Sequence, residues 1–216
     1  MNNVVIIKEL YKRFNNEYIL NNINLEIEEG KIYGVVGRNG SGKSVLFKTI
    51  SGLISPSKGQ LTVFGEIIGK GKFPKDLGLL LDIPGFLPHY SGFKNLKLLA
   101  SINNKLSDAE IKEYIHLVGL DPNDSKPVKK YSLGMKQRLG IAQAIMEKPK
   151  LLILDEPMNG LDEQGIHEIR SLLKTLKNQG VTILLSSHNS EDIHVLCDKV
   201  YKMDNGKIQL RETIKV

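Results

Sequence analysis

"IYGVVGRNGSGKS", residues 32–44, joins a short apolar run to a glycine-rich segment and to the start of a helical pattern. The apolar run predicts a buried strand over Lys31–Val36. The next eight residues contain three glycines, which cost backbone entropy and bury almost nothing. A fold gains little from such a stretch, so the stretch points to a ligand that approaches the backbone closely.

The spacing Gly37-x-x-x-x-Gly42-Lys43-Ser44, between a strand and a helix, is that of the P-loop. Its glycines let backbone N–H groups turn toward phosphate oxygens, and the following helix adds its positive end. We expect Lys43 to reach the β- and γ-phosphates and the Ser44 hydroxyl to bind Mg²⁺. The predicted binding residues are Gly37, Arg38, Asn39, Gly40, Ser41, Gly42, Lys43 and Ser44. The loop alone does not distinguish kinases, GTPases, motors and transporters.

A second motif ends a strand in two acids, Leu151-Leu152-Ile153-Leu154-Asp155-Glu156. The carboxyl edge of a parallel sheet is where ligands bind in such folds. Asp155 is predicted to hold Mg²⁺, and Glu156 to accept a proton from an attacking water or to orient it. A strand that merely ends in solvated acids is the alternative, which the upstream P-loop disfavours. The second acid therefore favours hydrolysis of a triphosphate over transfer of its phosphoryl group to another substrate.

The remaining pattern predicts an α/β fold with a parallel sheet, an antiparallel edge and a helical insert. Further strands are expected at 23–27, 60–64, 151–154 and 181–185, with a helix over 164–178 and a hairpin at Asp204-Asn205-Gly206. From Ser91 to Lys148 the periods are helical, with a capping box at Ser107–Glu110 and a helix over 133–147. Strands therefore flank a helical segment.

Composition sets limits on the class of protein. The 216 residues suffice for one domain, and the single Cys197, read as a core residue, suits a reducing cytosol. The net charge is +6, but the basic residues are interspersed with acidic ones, so no nucleic-acid partner is expected. No signal peptide opens the chain, and no apolar run approaches the roughly 20 residues of a membrane helix.

Between the two motifs stands Tyr131-Ser132-Leu133-Gly134-Met135-Lys136-Gln137-Arg138. Here the chain resembles the ATP-binding cassette (ABC) ATPases, whose signature precedes the acidic strand as this segment does. Gly160-Leu161-Asp162 is similar to the family's D-loop, and Ser186-Ser187-His188 to its switch histidine. Five motifs in the family's order cover essentially the whole chain. The resemblance is closest to ATPase subunits of bacterial exporters.

That resemblance implies a P-loop NTPase with a RecA-like parallel-sheet core, an antiparallel β subdomain and a helical subdomain insert. The core would span about 1–84 and 150–216, and the helical subdomain about 85–149. It also implies a homodimer in which the signature of one copy, with Ser132 and Gly134, closes over ATP on the other, and it makes Asp162 of the D-loop a nucleotide-binding residue. His188 would bind the γ-phosphate and the attacking water. Leu133 and Met135 replace usual signature residues, which puts two polar contacts in doubt.

Two positions leave alternatives open. Phe14 lies where the family stacks an aromatic ring on adenine, with Tyr11 and Tyr18 as rivals and a core role as another possibility. Asp82 lies where the family usually has a glutamine that binds Mg²⁺, and it offers only acceptors. We expect it to bind the metal or to orient water; the alternative is that it faces solvent. In having an acidic residue at this position, the chain resembles exporters that protect bacteria against lantibiotics and related peptide antibiotics.

The resulting prediction is an ATP-hydrolysing exporter subunit at the cytoplasmic face of the membrane. An integral membrane permease would be its partner, docking near Pro84–Pro88, although packing of the helical insert explains those apolar residues equally well. The alternative functions are a soluble ABC ATPase of the iron–sulfur assembly type and, more distantly, a P-loop kinase. The signature and His188 argue against the kinase.

Overall fold

The computed structural model describes residues 2–81, 85–103 and 106–214. Its strands are β1 Asn3–Phe14, β2 Glu17–Glu28, β3 Ile32–Val36, β4 Lys58–Val63, β5 Glu66–Ile67, β6 Leu77–Leu80, β7 Leu151–Leu154, β8 Thr182–Ser186, β9 Lys199–Asp204 and β10 Lys207–Thr213. Its helices are α1 Lys43–Ile50, α2 Gly92–Asn103, α3 Asp108–Leu117, α4 Leu133–Ile145, α5 Glu163–Asn178 and α6 Ser190–Leu196, with a 3₁₀ turn at Val128–Lys130. Each strand and helix predicted from the pattern is present; most ends agree within about two residues, whereas β2 begins six residues before the predicted strand at 23–27.

The larger sheet has six strands in the order β10-β9-β3-β8-β7-β6. Its five strands from β9 to β6 are parallel, and β10 adds an antiparallel edge through the predicted hairpin. Asn205 and Gly206 both have positive φ, 46° and 72°, as a tight two-residue hairpin turn requires. A second, antiparallel sheet has the order β2-β1-β4-β5. The predicted α/β class and antiparallel β subdomain are confirmed.

Apolar layers cover both faces of the parallel sheet, which explains its uninterrupted apolar strands. In β7, Leu151 and Ile153 belong to a cluster that contains α1 and the antiparallel sheet. Leu152 and Leu154 belong to the other cluster, which contains residues of helices α2 to α6. The sheet therefore lies between two apolar clusters, and packing on both faces holds its strand ends in position relative to one another.

The segment between β6 and β7 is helical, as predicted. Ser107 accepts a hydrogen bond from the Glu110 N–H while the Glu110 carboxylate accepts from the Ser107 N–H, so the capping box is confirmed. α4 begins at Ser132, whose hydroxyl accepts from the N–H of Met135 at 3.1 Å. Within the described ranges, no helix has the length and apolar character needed to cross a bilayer.

Cys197 is a core residue, as predicted from its isolation in the sequence. It is 1% exposed, and burial raises the pKa of its thiol to about 12. A Cβ on Gly34 would lie only 2.8 Å from the Cys197 sulfur. Gly34 therefore lets the turn after α6 pack directly on β3, next to the glycine-rich loop.

Candidate active site

Three segments with predicted chemistry follow three adjacent parallel strands. β8 lies between β3 and β7, so the carboxyl ends of all three meet at one edge of the sheet. The glycine-rich loop follows β3, the two acids follow β7, and Ser187-His188 follow β8. The sheet order therefore places these segments side by side, where ligands of open α/β folds bind.

The loop from Gly37 to Gly42 leaves no room for side chains at its two ends. A Cβ on Gly37 would lie 2.2 Å from the carbonyl oxygen of Met203. Gly42 has a φ of 107° and would place a Cβ 2.9 Å from the Ile19 carbonyl oxygen. Glycine is required at both positions, since β2 and the hairpin of β9 and β10 press the loop into shape.

Lys43 is a buried cation inside this loop. Its side chain reaches back so that Nζ donates to the carbonyl oxygens of Gly37 at 2.8 Å and Arg38 at 3.3 Å. The residue is 7% exposed, and none of the described carboxylates forms an ion pair with it. The Ser41 hydroxyl nearby is also buried, with no hydrogen-bond partner among the described residues. A buried ammonium held only by neutral carbonyls favours an anion at this place.

A chain of hydrogen bonds connects the loop with the two acids. The Ser44 hydroxyl donates to one oxygen of Asp155 at 2.5 Å, and the Ser186 hydroxyl donates to the other, also at 2.5 Å. Ser186 in turn accepts from the backbone N–H of Glu156 at 3.0 Å. Asp155 is thereby fixed from both sides, with its carboxylate between the ends of α1 and β8.

Glu156 and His188 face each other across the end of the sheet. The distance between Glu156 Oε1 and His188 Nε2 is 3.3 Å, and the backbone N–H of His188 donates to Glu156 Oε2 at 3.2 Å. The Glu156 side chain is 18% exposed and that of His188 is 51% exposed. A carboxylate and an imidazole are therefore both open to the same solvent-filled space.

That space is a cleft of about 1150 Å³. Its lining includes Phe14, Ile19, the loop from Asn39 to Val45, Leu133, Gln137, Asp155, Glu156, Asn159, Gly160 and His188. Phe14 is 44% exposed, which contradicts the alternative of a core role. Tyr11 and Tyr18 pack against each other edge to face at 5.6 Å and do not belong to this lining. Of the three aromatic candidates, Phe14 is the one at the cleft.

The turn that begins α4 packs against the segment before α5. A Cβ on Gly134 would lie 2.6 Å from the carbonyl oxygen of Gly160, and one on Gly160 would lie 2.6 Å from Leu133 Cγ. Ser132 and Leu133 are exposed at this end of the helix. Asp162 caps α5 by accepting from the Gly165 N–H at 3.0 Å. The two segments, Ser132–Gly134 and Gly160–Asp162, pack together at the rim of the cleft. We call these six residues the signature corner.

Comparison with known proteins identifies the family. The model of the ABC transporter family matches residues 20–159, and the matched stretch contains the glycine loop, the signature and both acids. The chain belongs to the ABC transporter family. It is an ABC ATPase subunit, which binds and hydrolyses ATP for transport, as its motifs predicted.

Named relatives of this ABC ATPase lie among bacterial transport proteins. It is 43% identical to the uncharacterized ABC transporter ATP-binding protein YybJ of Bacillus subtilis (strain 168), over 98% of this chain and 97% of that one. It is 40% identical to the bacitracin transport ATP-binding protein BcrA of Enterococcus faecalis, over 96% and 68%. It is 39% identical to the lantibiotic transport ATP-binding protein SrtF of Streptococcus pyogenes, over 95% and 89%.

Solved structures confirm the cassette fold. The dimeric cassette MJ0796, in a post-hydrolysis state bound to ADP and Pi, superposes with a TM-score of 0.88 at 21% identity, covering 98% of this chain and 99% of that one. The ATP-binding subunit of another ABC transporter gives a TM-score of 0.87 at 27% identity, covering 97% and 90%. The predicted P-loop NTPase fold is thereby confirmed.

The predicted site residues of this ABC ATPase differ in where the structure places them. Those from Asn39 to Ser44, with Phe14, Asp155, Glu156 and His188, line the one cleft. Gly37 and Arg38 lie behind it and present their carbonyls to Lys43. Ser132, Gly134 and Asp162 do not line it, although their neighbours Leu133 and Gly160 do. Asp82 lies outside the described residues.

Two buried polar residues that contact Asp155 or Glu156 carry no role in the sequence-based prediction. Ser186 holds Asp155 and the Glu156 backbone, and Gln137 donates from Nε2 to the Glu156 carbonyl oxygen at 3.0 Å. Both are buried. A polar residue at the carboxyl end of β8 was the available signal for Ser186. For Gln137 the signal was a glutamine on a helix whose buried face is otherwise apolar.

Proposed function

We propose that this ABC ATPase powers the export of peptide antibiotics through a separate integral membrane permease, working as a homodimer at the cytoplasmic face of the membrane. Two relatives at 39–40% identity are named for bacitracin and lantibiotic transport, which supports this class of substrate. The observation that carries the hydrolytic part is the paired Glu156 carboxylate and His188 imidazole at the wall of the cleft.

The loop from Gly37 to Ser44 would hold the triphosphate of ATP. The buried Lys43 ammonium would turn from the loop carbonyls to the β- and γ-phosphates, where it gains a partner of opposite charge. The first N–H groups of α1 point the same way and favour an anion at the helix start. Phe14 at the mouth of the cleft offers an exposed ring face on which adenine would stack.

Ser44 and Asp155 suit a Mg²⁺ ion. Their oxygens are hard donors 2.5 Å apart, at the phosphate end of the cleft. Among the described residues no group of three or more His, Cys, Asp or Glu side chains converges on one point. This fits an ion that is held by one or two protein oxygens together with phosphate and water. Ser44 and Asp155 would hold the ion, which when bound would offset part of the phosphate charge.

Glu156 would accept the proton of the water that attacks the γ-phosphate. Its carboxylate accepts from the backbone N–H of His188, its backbone N–H donates to Ser186, and the side chain lines the cleft. His188 would donate a hydrogen bond to the γ-phosphate, stabilising the charge that develops during transfer to water. The two side chains thus act on the same phosphorus from the same wall.

The other half of the site would come from a second copy. Ser132 caps α4 at an exposed end, where the helix N-terminus favours phosphate. Ser132, Gly134 and Asp162 lie at the signature corner instead of the cleft of their own chain. A head-to-tail homodimer would bring this corner onto ATP held by the partner.

The Glu156→Gln variant tests this assignment. Loss of the general base should lower kcat for ATP hydrolysis by about 100-fold or more, since general bases contribute on the order of 10²–10⁴. ATP binding should persist, and the variant should accumulate as a dimer on gel filtration with ATP. Glu113→Gln, at an exposed site on α3, should retain wild-type activity. Normal hydrolysis by Glu156→Gln would refute the base, and a monomer with ATP would refute the shared site.

A groove of about 570 Å³ between β6 and α2 suits the permease. Leu87 is 51% exposed and Leu98 is 42% exposed along it, whereas Phe86 packs against the core. The apolar loop therefore both packs the insert and presents a side chain outward. Leu87→Asp should abolish co-purification of an integral membrane protein without changing basal hydrolysis. Recovery of a soluble scaffold in place of a membrane protein would instead support the iron–sulfur assembly alternative.

The substrate class is tested in cells. A strain that carries Glu156→Gln at its own locus should become several-fold more sensitive to bacitracin or to a lantibiotic than its parent. Sensitivity to an unrelated small antibiotic is the control. Unchanged sensitivity to both peptides, with hydrolysis abolished in the purified variant, would exclude peptide-antibiotic protection while leaving the ATPase assignment intact.

A further inference from the structure

The backbone of Glu156 adopts a conformation that its side chain disfavours. Its φ is +52°, in the left-handed region where residues other than glycine, asparagine and aspartate are uncommon. Such a conformation persists only where surrounding contacts impose it, and it is typical of functional sites. The contacts that hold the Glu156 backbone in this conformation also determine the direction of its carboxylate.

Two buried side chains hold Glu156 by its backbone. The Ser186 hydroxyl, at the end of β8, accepts from the Glu156 N–H at 3.0 Å. The Gln137 amide, on α4, donates to the Glu156 carbonyl oxygen at 3.0 Å, and the same oxygen accepts from the backbone N–H of Asn159 at 3.2 Å in the turn that follows. Gln137 is 5% exposed, yet it also lines the cleft. The residue is therefore fixed between the sheet and the helix of the signature corner.

We propose that Gln137 is a positioning residue, which imposes the left-handed Glu156 backbone and so aims its carboxylate at the attacking water. This inference rests on the proposed role of Glu156 as the general base. Gln137 lies five residues after Ser132, on the helix that Ser132 caps. The position of the signature corner is thereby coupled, within one chain, to the geometry of its own catalytic carboxylate.

A purely structural role makes a different prediction. A buried glutamine that only satisfies a carbonyl oxygen would affect stability, and its loss would lower hydrolysis and nucleotide affinity together. A residue that aims Glu156 affects a step that follows ATP binding. Its loss lowers kcat while KM and ATP affinity stay the same.

The first test uses Gln137→Met, which keeps the length of the side chain and removes the donor. We expect kcat for ATP hydrolysis to fall about tenfold, as befits one positioning hydrogen bond, with KM changed less than about twofold. Gln164→Met is the matched control, because the amide of Gln164 donates only along α5, to Glu168 at 2.9 Å. A Gln137→Met kcat within twofold of wild type, or a parallel loss of ATP affinity, would overturn the proposal.

The second test uses Gln137→Glu and a pH profile. Ionised, the new carboxylate cannot donate to the Glu156 carbonyl; protonated, it can. We expect the ratio of variant to wild-type kcat to rise as pH falls from about 8 to about 6, since burial favours the protonated form. Lys43, Asp155, Glu156 and His188 line the same cleft in both proteins, so the ratio removes the pH dependence that the two proteins have in common. A ratio that is flat or falls with acidity would contradict the role of the donor.

The two proposals can fail separately. If Glu156→Gln hydrolyses ATP normally, the base assignment fails and the Gln137 inference fails with it. If Glu156→Gln is inactive while Gln137→Met matches wild type, only the positioning role is refuted. Thermal unfolding of each variant shows whether the protein is folded, and Gln137→Glu retains the size of the native side chain if Gln137→Met proves unstable.

Discussion

Glu28 shows how a single carboxylate can set part of the pH dependence of stability. It lies at the end of β2 and accepts hydrogen bonds from Lys199, at 2.5 Å, and from Lys31. These bonds hold the pKa of Glu28 at about 2, below its ordinary 4.5. Because the folded-state pKa is lowered, the ionised form stabilises the fold above about pH 4.5. That contribution is lost as pH falls toward about 2.

Glu28→Gln should therefore lower Tm near pH 7 by about 2–4 °C, as expected for the loss of about 1 kcal/mol in a chain of this size. Thermal unfolding from about pH 7 down to about pH 3 should show the difference from wild type narrowing below about pH 4.5. Glu66→Gln is the control, because its pair with Lys75 spans 3.7 Å and is largely exposed. An equal difference at both ends of the range would contradict the linkage.

Single residues also mark the limit of what the sequence alone could predict. The loop, Asp155, Glu156 and His188 were predictable because each belongs to a spacing with a chemical reason. Ser186 and Gln137 were not, because their roles depend on which backbone atoms lie within 3 Å of them. That neighbourhood exists only after β8 pairs with β7 and α4 brings Gln137 to the Glu156 carbonyl oxygen.

Among the helices, α5 and α6 are joined by a buried ion pair. Arg170 is 6% exposed and its guanidinium donates twice to Asp192, which is 1% exposed, at 2.9 and 2.6 Å. The other Asp192 oxygen accepts from Ser187 at 2.8 Å. Since Ser187 directly precedes His188, this pair also fixes the chain where it leaves β8.

Asp192→Asn should strongly destabilise the protein, because it leaves Arg170 buried without its main counter-charge. Breaking a buried pair costs about 3–5 kcal/mol, which predicts a Tm lower by about 6–12 °C or more. Glu191→Gln is the matched control: Glu191 also binds Arg170, at 3.0 Å, but its side chain is 65% exposed, so the loss should be small. Equal effects of the two variants would show that burial does not decide the energy here.

Elements with a regular period were predictable, and irregular ones were not. β1 has no simple alternation because Glu9 adopts a φ of 45° and the pairing with β2 and β4 shifts register around it. β6, over Leu77–Leu80, is too short to show a period, and α6 has only seven residues. Tertiary pairing, which no local pattern encodes, makes these segments regular.

At the scale of the whole molecule, the proposed dimer implies that two inactive chains can restore each other. Lys43→Ala removes the phosphate contact, and Ser132→Arg obstructs the signature corner. A mixed dimer contains one site built from the intact loop of one chain and the intact corner of the other. Random pairing makes about half of the dimers mixed, so the mixture should regain about a quarter of wild-type hydrolysis.

The matched control mixes Lys43→Ala with Glu156→Gln. Both residues belong to the same chain's cleft, so no mixed dimer contains an intact site, and activity should stay absent. Recovery in this control would mean that the cleft itself is divided between chains. No recovery in the first mixture, although ATP still produces dimers, would contradict the head-to-tail arrangement.

The cleft lined by Glu156 and His188 and the groove between β6 and α2 share no lining residue within the described parts of the chain. Substitutions along the groove can therefore accumulate during evolution without altering the residues that handle ATP. Under the proposed docking of a permease at this groove, such an ATPase could exchange one membrane partner for another while the residues of the cleft stay unchanged. Because Leu79–Leu81 and Gln143 also line the groove, redirecting this ATPase to a new partner would require substitutions outside residues 85–103 as well.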